Sequence, residues 1–258
     1  MELTSIMPLF ACLLGLILGS FVNVCIYRIP LKRSIVRPPS SCPKCGRKIK
    51  FYDNIPILSY IILLGKCRHC REPIPFRYPV VEALTALFSL ALFIRYGLSY
   101  QYVAFLLFTV GLLTISFIDL QHKIIPDVLS LPGIVLGWTS SFVSVHISWL
   151  DSLIGLLAGG GLLWLIAVAY EWITGKEGMG GGDIKLLAMI GAWMGWRALP
   201  FVVLISSLSG SVIGGAALVL SGKGYRVKIP FGPFLSLGAL VYLFFGAELV
   251  DWYSRLVW

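Results

Sequence analysis

Residues 103–119 read VAFLLFTVGLLTISFID, a run without formal charge that a carboxylate closes. It is too long for an ordinary strand and nearly long enough, as a helix, to cross about 30 Å of hydrocarbon, which takes about 20 residues. A second stretch reverses the order: GGGDIKLLAMIGAWMGW at 180–196 sets Asp183 at the head of an apolar run. A carboxylate near the bilayer costs roughly 2.5–3.5 kcal/mol on insertion scales unless a partner or water compensates. Asp119 and Asp183 therefore read as a buried acid pair at two helix ends, an arrangement that activates water.

Outward from these runs the whole chain looks alike. Of its 258 residues 58% are apolar and 13% charged, with mean hydropathy +0.88, which is not a soluble composition. Apolar stretches at roughly 6–26, 79–95, 102–118, 128–146, 152–173, 184–197, 199–220 and 231–249 predict an all-α polytopic membrane protein of about eight transmembrane helices. The sixth is short. The first lacks a basic lead and a small-residue cleavage site, so it reads as a retained span. Twelve of the 21 Lys and Arg fall in 28–77, and six more are Lys123, Lys176, Lys185, Lys223, Arg226 and Lys228; Arg95, Arg197 and Arg255 face the other way. The crowded side should be cytoplasmic. The net charge of +9 then reflects topology and anionic lipid headgroups, and no nucleic-acid partner is expected.

The large polar segment divides the chain into a first transmembrane helix (1–26), a cytoplasmic loop domain (27–78) and a membrane domain (79–258). The loop carries Cys42-Pro-Lys-Cys45 and Cys67-Arg-His-Cys70. Two such pairs can close a tetrahedral shell around one structural Zn2+. Disulfides are disfavoured in a cytoplasmic loop. His69 is an alternative ligand, and Cys12 and Cys25 read as small buried residues.

With these motifs in view the chain resembles the type IV prepilin peptidases, membrane aspartic proteases of the GxGD type. The resemblance covers GSFVNVCIYRIP at 19–30, the cysteine loop through 37–82, FIDLQHKIIPD at 117–127, GMGGGDIKL at 178–186 and PFGPFLSLGA at 230–239. It implies cleavage of leader peptides from type IV prepilins and related secretion pseudopilins at the cytoplasmic face of a bacterial inner membrane. It also implies methylation of the new amino terminus with S-adenosyl-L-methionine as donor. Asp119 and Asp183 match the catalytic aspartates, and the cysteine loop is the candidate methyltransferase region.

Chain-local chemistry adds detail. Asp119 should lie near a helix C-terminus, where ionisation is opposed, and Asp183 at an N-cap, where it is favoured. Gly180, Gly181 and Gly182 permit positive φ and close approach of a substrate strand. Gly159, Gly160 and Gly161 read as a helix-packing patch. Asp127 is the rival first acid, or an N-cap. Glu82 is an ion-pair partner of Arg77 or a methyl-donor contact. Lys185 faces headgroups or Asp183, and His122 is a solvated histidine or tunes Asp119. A proton-coupled transporter and a zinc-dependent assembly scaffold are the competing functions; oligomeric state is not legible.

Overall fold

The structure is a computed structural model and describes residues 2–144, 147–175, 180–221 and 230–257. Lys176, Gly178, Met179, Lys223, Arg226, Lys228, His146 and Trp258 lie outside the described residues. All eight apolar runs form helices: α1 (Glu2–Arg28), then, after the short α2 (Leu58–Ile62), α3 (Arg77–Tyr96), α4 (Tyr100–His122), α5 (Asp127–Ser140), α6 (Trp149–Thr174), α7 (Gly181–Met194), α8 (Leu199–Ser221) and α9 (Gly232–Val257). Among the described residues there is no strand, and six helices are long and apolar enough to cross a membrane. The exceptions are α5 and α7, of 14 residues each, about 21 Å of helix. Gly195 ends α7 at φ +76°. Ser140 and Ser141 end α5 by donating their hydroxyls back to Gly137 and Trp138 carbonyls.

Contacts group the chain into two units, Met1–Thr114 and Ile115–Trp258. In the first, α1 lies along α3. A Cβ on Gly15 would stand 2.6 Å from Ala86 Cα, and one on Gly19 2.7 Å from Glu82 Cα, so only glycine fits this crossing. Ser89 donates its hydroxyl to Ala11 carbonyl (2.7 Å) and meets the Tyr102 hydroxyl at 2.9 Å, tying α1, α3 and α4 with buried polar groups satisfied.

In the second unit α7 is the central element: Leu186 through Met194 are all buried. Gly155 on α6 and Gly191 on α7 meet backbone to backbone, and a Cβ on Gly159 would fall 2.6 Å from Leu187 carbonyl oxygen. Of the other two glycines in that patch, Gly160 meets only the Ala188 methyl and Gly161 faces open space. Gly137 on α5 accommodates the Trp193 ring, whose Nε1 donates to Gly133 carbonyl at 2.8 Å. Trp193 is thus a core residue.

Candidate active site

Asp119 lies in the last turn of α4 and is 5% exposed. Lys123 ends that helix at φ +55°, its N–H donating to Asp119 carbonyl at 2.8 Å. The chain then turns through Ile125 and Pro126 into α5. Oδ2 of Asp119 accepts the Gly232 N–H at 3.0 Å. Gly232 is the first residue of α9, so a helix start is aimed at this carboxyl, a donor that the local reading of α4 does not contain. The spot is closed: a Cβ on Gly232 would stand 2.6 Å from Asp119 Oδ2 and 3.2 Å from Ile125 Cδ1.

Asp183 is half-buried in the first turn of α7. It is the third residue of the helix; the N-cap is Gly180, whose carbonyl accepts the Asp183 N–H at 3.1 Å. Gly180 is extended at φ −71°, Gly181 and Gly182 are already helical, and none of the three takes positive φ. The need for glycine is steric at Gly182, where a Cβ would stand 2.8 Å from Ile125 Cβ. Ile125 therefore touches the chain beside both acids, next to Gly182 on one side and Gly232 on the other. Asp183 lies within electrostatic range of Asp119. Among the described residues neither carboxylate makes an ion pair. Two partly desolvated acids that feel one another's charge, with no ion pair to either among the described residues, are an arrangement able to offer a base and an acid to one water.

The neighbouring charges are engaged elsewhere. Lys185 Nζ pairs with Asp127 Oδ1 at 2.6 Å rather than with Asp183, and both side chains are substantially exposed. Asp127 is the first residue of α5 and Pro126 is its N-cap position, so the acid is satisfied by Lys185 and not by capping. His122 is exposed in the last turn of α4. Gly232 and Ile125 are the parts that sequence reading did not single out; PFGP at 230–233 and the turn before Asp127 were visible as motifs but not as contacts.

The first unit holds the cysteines. The sulfurs of Cys42, Cys45, Cys67 and Cys70 all lie within 4.8 Å of one another. Each pair sits in the same small turn. Cys42 N–H donates to Arg47 carbonyl and Gly46 N–H to Cys42 carbonyl; Cys67 N–H donates to Glu72 carbonyl and Arg71 N–H to Cys67 carbonyl. Isolated bridges Ser41–Lys48 and Lys66–Pro73 close the two turns at the same offset. The donor set fits a metal dication such as zinc: four sulfurs in mutual reach, presented by two matched turns. The cluster found among the described residues is the four cysteines without His69, whose Nδ1 lies 3.0 Å from Arg47 Nη1. Lys44 pairs with Glu72 across the two turns. Asp53 takes two bonds from Arg68 Nε and one from Nη2, and that guanidinium holds its carboxyl below the usual range.

Beneath this module Glu82, 7% exposed, accepts the Ile57 N–H at 2.7 Å through Oε2. The Ser20 hydroxyl also reaches its carboxylate. Glu82 takes part in no ion pair among the described residues, so the expected partnership with Arg77 is not what holds it.

Known proteins match nearly the full chain. Residues 13–96 match the bacterial peptidase A24 N-terminal domain and residues 106–215 the type IV leader peptidase family. A prepilin leader peptidase/N-methyltransferase of Pseudomonas aeruginosa is 40% identical over 266 residues, covering 94% of this chain and 92% of that protein. Relatives of the same name from Aeromonas hydrophila (39%, covering 93% and 91%) and Xanthomonas campestris (38%, covering 94% and 92%) align as fully. No solved structure matches the chain.

Proposed function

The chain belongs to the type IV leader peptidase family, and from that premise we propose that Asp119 and Asp183 are its catalytic acids. The protein is a membrane aspartic peptidase that cleaves type IV prepilin leader peptides and N-methylates the product. What supports the assignment of the acids is their setting: Ile125 packs beside Gly182, the neighbour of Asp183, and beside Gly232, whose N–H the Asp119 carboxyl accepts, one acid at a helix end and one at a helix start, with no ion pair to either among the described residues. One ionised carboxylate accepts a proton from water as its oxygen attacks the scissile carbonyl carbon. The protonated partner donates a hydrogen bond to the carbonyl oxygen. Collapse of the tetrahedral species breaks the C–N bond, and the departing amine takes a proton from the pair. Gly180 and Gly181, exposed beside Asp183, offer backbone against which an extended leader junction can lie.

The excess of Lys and Arg around 28–77 and beside the acids supports a cytoplasmic position for the site in a bacterial inner membrane. Prepilins and secretion pseudopilins suit that position, since a hydrophobic substrate helix can lie in the bilayer while its leader stays outside. The four cysteines hold a structural zinc, since a complete sulfur shell leaves no place for a reactive water. Residues 27–78 form the methyltransferase region, and S-adenosyl-L-methionine supplies the methyl group. A proton carrier would set acids near mid-membrane; here they occupy helix ends. Leader cleavage by purified Asp119→Asn and Asp183→Asn proteins is the test, and full activity in either removes that residue from the reaction.

A further inference from the structure

The first unit contains a cavity of about 350 Å³ between the cysteine module and the module-side ends of α1 and α3, within the range of small-molecule sites, roughly 300–1,000 Å³. The aspartate pair of the peptidase reaction takes no part in its lining. Tyr27, Tyr60 and Tyr78 supply aromatic surface, and Asn54 and Arg68 line the module side. Glu82 also lines it, and is the buried carboxylate described above, with its N–H and hydroxyl donors and no ion pair among the described residues. A buried carboxylate without a cation is expensive unless something positive completes it. The donor to Glu82 is itself unusual. Ile57, β-branched, stands at φ +60° and ψ −50°, a conformation such residues avoid and which persists only where the surroundings enforce it. The chain therefore holds a strained residue in order to aim an N–H at this carboxylate.

We propose that this cavity binds the sulfonium methyl donor, with the Glu82 carboxylate set against the sulfonium charge and the tyrosines against the nucleoside ring. The inference rests on the methyltransferase half of the proposed function. The cavity suits a ligand that is flat and aromatic at one end, cationic in the middle and anionic at its amino-acid end: it has aromatic walls, basic lining from Arg47, Lys48, Arg68 and Arg77, and one buried carboxylate in no ion pair among the described residues. In the transfer the unprotonated amine of the cleaved peptide attacks the methyl carbon. The C–N bond forms as the C–S bond breaks, sulfur keeps the electron pair as a neutral thioether, and the new ammonium releases one proton to water. Glu82 positions the donor and forms no covalent bond.

The test measures binding by the purified full-length protein in detergent, using three probes: S-adenosylmethionine, sinefungin, which carries an ammonium where the sulfonium stands, and S-adenosylhomocysteine, which is neutral there. Glu82→Gln should weaken the two cationic probes about tenfold or more, the usual effect of losing a charged partner, and leave the neutral one nearly unchanged with its metal content intact. Equal binding of all three by wild type and Glu82→Gln overturns the proposal, as does a uniform loss of all three. Should Glu82→Gln fail to retain metal, Asn54→Trp decides: a bulky rim residue must weaken every probe, and unchanged affinity overturns the assignment. Product methylation by wild type separates the two layers. Methylation that persists in a Glu82→Gln protein with unaltered donor affinity rejects the cavity alone. A wild type that cleaves but neither methylates nor binds any probe rejects the methyltransferase reading itself.

Discussion

The Gly232 N–H points at Oδ2 of Asp119 from 3.0 Å, and no side chain can be added at Gly232 without striking that oxygen. The start of α9 and the end of α4 thus define one acid's position between them. Gly232→Ala should displace the carboxyl and reduce leader cleavage strongly, while donor binding, which depends on other residues, stays intact. Wild-type cleavage by Gly232→Ala would show that the contact does not position the acid.

Asp119→Asn and Asp183→Asn should each lower cleavage by about 10²- to 10⁴-fold, the usual contribution of a positioned acid or base. Thermal unfolding should change little in either protein, since neither acid is held in an ion pair among the described residues. The double variant should be little worse than the singles, because the pair acts as one unit.

Asp127→Asn breaks the Lys185 pair, which is substantially exposed at both ends. Exposed pairs contribute about 0–1 kcal/mol, so stability and cleavage should stay near wild type. This variant separates the two aspartates of the 117–127 segment: loss of cleavage in Asp127→Asn comparable to that in Asp119→Asn would reverse their roles.

Gly191→Ala places a methyl group against the Gly155 backbone, where neither helix can yield by moving a side chain. Overpacking of this kind costs about 1–3 kcal/mol. The measurement is resistance of the detergent-solubilised protein to thermal unfolding. A Gly161→Ala control, facing open space, should be neutral.

The Asp53–Arg68 link predicts acid sensitivity of the module. Hydrogen bonds from Arg68 hold Asp53 below its ordinary 3.8, so the stabilisation is complete above that value and is lost as pH falls through the lowered one. Thermal stability measured against pH should favour wild type over Asp53→Asn near neutrality, and the difference should vanish in strong acid. A constant difference at every pH would mean that the link is not electrostatic.

Much of this was legible because the hydrophobic effect writes long helices plainly. The six long spans, the clustering of four sulfurs and the helix-end positions of the two acids all follow from run length and spacing. Asp127 and Lys185 did not, because an ion pair 58 residues apart in sequence depends on where two helices cross. The same holds for Ile57 and Glu82. The shortness of α5 and α7 was hidden because an apolar run buried by protein looks like one buried by lipid. Glycines four apart at 15 and 19, 133 and 137, and 155 and 159 were the available signal for those crossings.

Since α7 meets protein along its buried stretch from Leu186 to Met194 and is too short to reach both headgroup layers, its neighbours absorb any stretch or thinning of the surrounding lipid. The nucleophile-activating end of this helix is thereby insulated from acyl-chain length. Hydrolysis in short-chain and long-chain vesicles should proceed at comparable rates, even where the tilt of the long outer helices changes to match each host.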